Sequence, residues 1–136
     1  MSRKRIHCVD DNASILRTLK AILSRHYDVV AADSAYEAVN LFDEAGPFPV
    51  LLTDARMPGK SGIQLVREIK SKDPDVIAMV LTADSVSEET KAAVDLGEVF
   101  SYLHKPLQIA EMFHQVDKAF DFYETNRTNR SCLSVN

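Results

Sequence analysis

Cysteine is scarce in this chain. Cys8 and Cys132 stand near opposite ends, without the spacing that a metal site or a redox pair needs. His7, His26, His104 and His114 are equally scattered, so a Cys/His metal centre is excluded. Tryptophan is absent, and only 4 glycines and 5 prolines are present, which excludes a fibrous or low-complexity class. No apolar run approaches membrane-spanning length. Met1-Ser2-Arg3-Lys4-Arg5 begins like a signal peptide, but the apolar stretch after it stops at Asp10. An excess of positive charge is also missing: the formal net charge is -4, so no electrostatic footprint for nucleic acid or an anionic membrane is expected. A cytoplasmic protein is expected on these grounds. The sequons Asn126-Arg127-Thr128 and Asn129-Arg130-Ser131 are then chance matches.

What is present is a globular composition. The chain has 136 residues, 46% hydrophobic and 26% charged, enough for one domain with one ordinary core. Short β-rich runs (residues 6–9, 28–32, 50–53, 76–82 and 99–103) alternate with helix-period segments, which predicts an α/β fold with a parallel sheet covered on both faces. Most of these runs are continuously apolar, as strands buried on both faces must be. Asn12, Ser34 and Ser61 stand where helix N-caps belong, and a fourth helix is expected over about residues 87–96, ended by Gly97. The last helix is expected from about Leu107, with Met112, Phe113, Val116, Phe120 and Tyr123 as its apolar stripe. Beyond Glu124 the sequence is polar and aperiodic. Residues 1–124 are therefore expected to form the domain and residues 125–136 a linker or free tail.

Chemistry-bearing residues fall at the ends of the expected strands. Asp10-Asp11 follow the first, Asp54 ends the third, Thr82 ends the fourth and Lys105 follows the fifth. In an open parallel sheet, ligands bind at this edge, where the strand order reverses. Carboxylates about 5 Å apart repel by roughly 3 kcal/mol per pair at an effective dielectric of 20, so a positive charge must offset them. Oxygen ligands without histidine or cysteine select a hard cation, and Mg²⁺ fits best because it binds few carboxylates together with a substrate phosphate. Lys105 offers a compact charge for a phosphoryl oxygen, and the Thr82 hydroxyl offers a donor. Asp54 is the natural nucleophile, since Met57-Pro58-Gly59 turns the chain away beneath it.

These motifs, in this order, resemble the receiver domain of bacterial two-component response regulators over about residues 4–124. The resemblance implies a doubly wound five-stranded parallel sheet of order 2-1-3-4-5, an arrangement for which the family is a standard example. It implies Asp54 as phosphoacceptor, Asp11, Asp54 and the Arg56 carbonyl as direct Mg²⁺ ligands, and Asp10 holding the metal through water. Thr82, Ala83 and Lys105 are implied to bind the phosphoryl group, and Thr82 with Tyr102 to form the switch pair. Pro106 is expected after a cis bond. The segment from Gly97 to Lys105 is one residue longer than the commonest family pattern, although Tyr102 keeps its place three before Lys105. Arg56 and Asp84, which flank the site, are oppositely charged and expected to pair across its mouth.

The implied partners are a sensor histidine kinase or a phosphotransfer protein, and an output domain or effector reached through the fourth helix, fifth strand and fifth helix. A homodimer is compatible with this. The chain reads as a stand-alone receiver or as the front of a longer protein, and Gly97 to Pro106 is similar to receivers that head cyclic-dinucleotide phosphodiesterases. Two alternatives stay open at this level. A phosphohydrolase of the haloacid-dehalogenase kind also uses an Asp nucleophile with Mg²⁺, but its Asp-x-Asp spacing is not found at Asp10-Asp11-Asn12. A degenerate receiver serving only for docking or dimerisation would not need Asp10, Asp11, Asp54, Thr82 and Lys105 together. Each residue alone has a plainer reading: Asp10-Asp11 as a cap, Asp54 and Gly59 as turn residues, Tyr102 as a strand aromatic, and His104 and His114 as surface residues.

Overall fold

The structure, a computed structural model, describes residues 4–83 and 86–135, with side chains described up to residue 126. Five strands and five helices alternate: β1 (Arg5–Val9), α1 (Ala13–Leu23), β2 (Asp28–Ala32), α2 (Ala35–Ala45), β3 (Val50–Asp54), α3 (Gly62–Lys72), β4 (Ile77–Thr82), α4 (Glu88–Asp95), β5 (Ser101–His104) and α5 (Ile109–Val135). The strands form one sheet in the order β2-β1-β3-β4-β5, and every pair is parallel. The chain winds outward from β1 to β2, then returns across β1 to β3. That reversal places helices on both faces and opens a crevice at the carboxyl ends of β1 and β3.

Strand period 2 divides the apolar residues between two cores. Ile6, Cys8, Val50, Leu52, Met79 and Leu81 face α1 and α5, where Leu19, Leu23, Met112, Val116 and Phe120 meet them. Val9, Leu51, Ala78 and Val80 face α2, α3 and α4 through Ala38, Phe42, Leu65, Val66, Ile69 and Ala93. The expected caps form. Asn12 accepts from the Ser14 and Ile15 N–H groups at 2.9 and 3.2 Å, Ser34 from Glu37 at 3.0 Å, and Ser61 with Gln64 closes a capping box at 3.2 and 2.8 Å. Gly97, with φ +80°, ends α4: its N–H bonds Val94 at 3.0 Å and that of Glu98 bonds Ala93 at 2.9 Å.

Several boundaries differ from expectation, and three of the differences have a clear cause. β5 starts at Ser101, because the Val99 N–H is taken by the Ala93 carbonyl at 3.2 Å, so Val99 closes α4 before the strand begins. β4 starts at Ile77, since Val76 bonds back to Asp73 at 3.3 Å. The largest correction concerns residues 125–135, read as an aperiodic linker: the helix α5 runs through them to Val135. Nothing between Ile109 and Val135 breaks a helix, for the span holds neither proline nor glycine. A loss of apolar period marks where a helix leaves its core, which differs from where it stops. At about 1.5 Å per residue, the 27 residues of α5 extend roughly 40 Å.

His7 is the main polar exception in the interior. It is buried on β1 against the Phe48 ring, centroids 4.6 Å apart, and neither ring nitrogen has a partner among the described residues. Burial, helped by the Arg5 charge, lowers its pKa from 6.5 to about 4. The unfolded chain therefore binds this proton more readily than the folded one. Stability from this residue is complete above pH 6.5 and falls as pH drops toward 4, by about 3 kcal/mol in all. Urea midpoints measured from pH 7 to pH 4 are expected to fall markedly less for His7→Leu than for the wild type. Parallel pH curves for the two proteins would refute the assignment.

Candidate functional site

Four strand ends deliver the site. Asp10 leaves β1 fully buried: its N–H bonds the Ala32 carbonyl at 3.2 Å, and its Oδ1 accepts from the Asn12 N–H at 2.9 Å. Asn12 thus caps α1 and aims Asp10 at the same time. Asp54 is the last residue of β3, 7% exposed, and the next N–H, of Ala55, bonds Leu81 at 2.8 Å. Gly62 is essential to this placement, since a Cβ there would lie 2.3 Å from the Asp54 carbonyl oxygen. Only glycine lets the first turn of α3 press so closely on the end of β3. Gly59, at φ +84°, makes the turn after Pro58 that sequence reasoning expected.

Lys105 completes the cluster. Its Nζ lies 3.2 Å from Asp10 Oδ2 and 3.2 Å from Asp54 Oδ1, and its backbone N–H bonds the Thr82 carbonyl at 2.8 Å. One carboxylate oxygen from each of Asp10, Asp11 and Asp54 falls within 4.8 Å of the others, with Asp11 on the exposed side. The ammonium thus touches the two inner carboxylates, and the exposed Asp11 leaves the cluster rich in negative charge. An oxygen-only donor set with uncompensated charge suits a hard divalent cation. The Lys105–Pro106 bond is cis, as expected, and so is Gly46–Pro47.

A cavity of about 310 Å³ opens beside Asp54, walled by Arg56, Ser61, Thr82, Ala83, Lys105 and residues of α4 and its cap. Ser87, Glu89 and Thr90 of that wall were not singled out from sequence, where they read as an ordinary helix start. Ser87 is the N-cap of α4, accepting from Thr90 at 3.1 Å, and its hydroxyl also meets that of Thr90 at 3.0 Å. Thr82 is buried on the cavity wall. Tyr102 stands apart from the cavity, part exposed on β5. His104, read as a surface residue, is exposed but engaged: its Nδ1 lies 3.3 Å from the Thr82 hydroxyl and its ring meets that of Tyr102 edge-on, centroids 5.5 Å apart. The usable signal was strand period 2, which puts Tyr102 and His104 on one face of β5. The expected Arg56–Asp84 pair involves Asp84, which lies outside the described residues.

The electrostatics follow from the burial. Desolvation raises the pKa of Asp54, the Asp10 charge raises it further, and the Lys105 charge and hydrogen bond, with the Arg56 N–H, oppose both. The net shift is upward, so the ionised form of Asp54 is held at some cost in the free domain.

Comparison with known proteins agrees with this geometry. The family model for the response regulator receiver domain matches residues 6–117. The DNA-binding transcriptional regulator NtrC of Klebsiella pneumoniae is 32% identical over 124 residues, which cover 90% of this chain and 26% of that protein. The chain spans about a quarter of the length of the curated relatives it matches. Among solved structures, the adenylate cyclase from Rhodopirellula baltica superposes with a TM-score of 0.93 at 29% identity, over 98% of this chain and 99% of that one. The signal receiver domain of an HD domain-containing protein from Pseudomonas fluorescens Pf-5 superposes at 0.83 with 26% identity, over 90% and 98%.

The raised pKa of Asp54 fixes a sign. Its contribution to stability is complete below the unfolded carboxylate pKa and is lost as pH rises through the folded value. In a chelator, Asp54→Asn is expected to raise the melting temperature at pH 7 by a few degrees. The gain should shrink as pH falls through the raised pKa of Asp54 and be gone below the ordinary carboxylate value of about 4, where the wild-type side chain is neutral both folded and unfolded. A variant that melts lower at pH 7 would contradict the repulsive balance at this site.

Proposed function

Since the chain belongs to the response regulator receiver domain family and is thereby a receiver domain of two-component signalling, we propose that Asp54 is its phosphoacceptor and that the domain switches on phosphorylation. The observation that carries this reading is the buried Asp54 carboxylate, 3.2 Å from the Lys105 ammonium and grouped with Asp10 and Asp11 at the mouth of a cavity wide enough for a phosphoryl group. The donor is a phosphohistidine on a sensor histidine kinase or a phosphotransfer protein. An Asp54 carboxylate oxygen forms the new bond to phosphorus, the phosphorus–nitrogen bond of the donor breaks, and the electron pair leaves with the imidazole, which takes up a proton.

Asp11, Asp54 and the Arg56 carbonyl would hold Mg²⁺ directly and Asp10 through water, and the ion would supply charge stabilisation for the phosphoryl oxygens. This chain's own residues do the rest. Lys105 leaves Asp54 Oδ1 for a phosphoryl oxygen, Thr82 donates its hydroxyl proton to another, and Ala83 lines the place between them. Thr82 then turns toward Asp54, Tyr102 follows into the space it vacates, and the surface of α4, β5 and α5 changes its affinity for an output domain or effector, or for a second copy. Hydrolysis of the aspartyl phosphate by water resets the switch.

The relatives are longer proteins, so the reading extends to an output region in the same chain, addressed through α5. No described helix is long and apolar enough to cross a membrane, which accords with a cytoplasmic setting. Phosphohydrolase turnover is the reading set aside, because the family match and the position of Asp54 at the end of β3 agree with one another.

With acetyl phosphate and Mg²⁺, intact-mass measurement is expected to show one phosphoryl group per chain, absent in Asp54→Asn and in excess chelator. Lys105→Ala should slow the transfer by at least about tenfold, the scale of losing a charged donor from a site where negative charge develops. A wild type that takes no phosphoryl group, or an Asp54→Asn variant labelled equally, would overturn the proposal. Repeated turnover of a simple phosphate ester would point back to the hydrolase reading.

A further inference from the structure

Parallel register pairs Val80 with Tyr102 and Thr82 with His104, so Thr82, Tyr102 and His104 share one face of the sheet. Their contacts form a chain. The Thr82 hydroxyl and His104 Nδ1 are 3.3 Å apart, and the His104 ring meets the Tyr102 ring edge-on at 5.5 Å and 89°. His104 therefore touches both residues of the proposed switch pair. Since β4 lies between β3 and β5, a hydroxyl bonded to a β5 side chain is turned away from Asp54, the last residue of β3.

Resting on the phosphoacceptor reading, we propose that His104 is a positioning residue: it holds the Thr82 hydroxyl toward β5 in the resting state and so sets the threshold for switching. The chemistry makes the contacts exclusive. A threonine hydroxyl carries one proton, and phosphoryl oxygens can only accept. When Nδ1 presents its lone pair, the same proton is needed in both places, so engaging the phosphoryl group costs the His104 bond. When Nδ1 carries the proton, the ring still draws the Thr82 oxygen toward β5. The Tyr102 ring leans on the same imidazole, so His104 cannot release one partner without disturbing the packing of the other. The bond is part exposed and long, which places its worth at the low end for a hydrogen bond and the expected effect at a few-fold.

The test uses this chain with beryllofluoride and Mg²⁺, an aspartyl-phosphate mimic, titrated by NMR. His104→Val is expected to tighten apparent beryllofluoride affinity by about two- to fivefold. His104→Asn, which sets an amide oxygen near the place of Nδ1, should stay close to wild type, and His104→Gln, whose amide lies one bond farther out, should behave like the valine variant. In a Thr82→Val background the His104→Val effect should vanish. A second arm needs no ligand: the Nδ1 nitrogen shift of His104 in resting protein is expected to move on Thr82→Val. Unchanged or weaker affinity in His104→Val, or an equal effect in both backgrounds, overturns the proposal, as does an Nδ1 shift indifferent to Thr82. A wild type that binds no beryllofluoride while Nδ1 still responds to Thr82 overturns the phosphoacceptor reading and, with it, the threshold role, leaving a hydrogen bond alone.

Discussion

The contact of the Lys105 ammonium with the Asp10 and Asp54 carboxylates, 3.2 Å to each, is the constraint around which this edge of the sheet is organised. Two carboxylates that are almost wholly buried cannot stay ionised side by side without a cation between them. The lysine reaches them because the sheet order places β1 and β3 as neighbours, with β4 carrying β5 just beyond. A different winding would put Lys105 out of range. The strand order is thus part of the electrostatics of the site.

Holding that cluster requires exact backbone placement, and several modest devices supply it. Asn12 serves α1 as a cap and Asp10 as a donor, so the helix start and the acid pair cannot move independently. Gly62 lets α3 abut the Asp54 carbonyl, and its N–H bonds the Ala55 carbonyl at 3.0 Å, which locks the loop after β3 to the start of α3. Ala55 in turn bonds Leu81, and Lys105 bonds Thr82, so each functional side chain stands on a strand end tied to its neighbour. The apolar cores on the two faces carry the free energy of folding, and the upward pKa shift of Asp54 shows that the site draws on it.

Much of this was legible in the residues. Alternation of apolar runs with capped helices read correctly because buried parallel strands and N-caps each have a strong local cause. The acid pair, Asp54, Thr82 and Lys105 were legible as one site because strand ends in this architecture must converge. What escaped had no local cause. Gly62 looks like any glycine near a turn until the Asp54 carbonyl is found against its missing Cβ. His104 lies on an exposed edge, where polarity is the ordinary expectation, and only the pairing with Thr82 gives its ring a task. His7 sits in a strand whose neighbours are apolar, and sequence offers no reason for a buried imidazole whose nitrogens have no partner among the described residues; Phe48 supplies its packing. The helix beyond Glu124 was not legible because the amphipathic period ends where the core does, while the backbone has no reason to stop.

On the phosphoacceptor reading, topology also decides where a change at Asp54 would be felt. Two short routes leave the site. Lys105, in contact with Asp54, is joined through Pro106, Leu107 and Gln108 to the first turn of α5 at Ile109. Thr82, on the wall of the same cavity, is joined through His104 to Tyr102 on β5. Both routes end on the β5–α5 side. The opposite edge receives neither, for β2 lies beyond β1, and α2 packs on β2, β1 and α3. In its middle α5 is held to the domain by the Tyr27 hydroxyl donating to Asp117, by the stacking of Tyr27 on Phe120 at 5.0 Å, and by the Lys4–Glu124 ion pair at 3.8 Å. On the phosphoacceptor reading, altered charge at Asp54 would act on one end of a continuous helix whose middle is clamped, and this arrangement would give a local electrostatic event a direction.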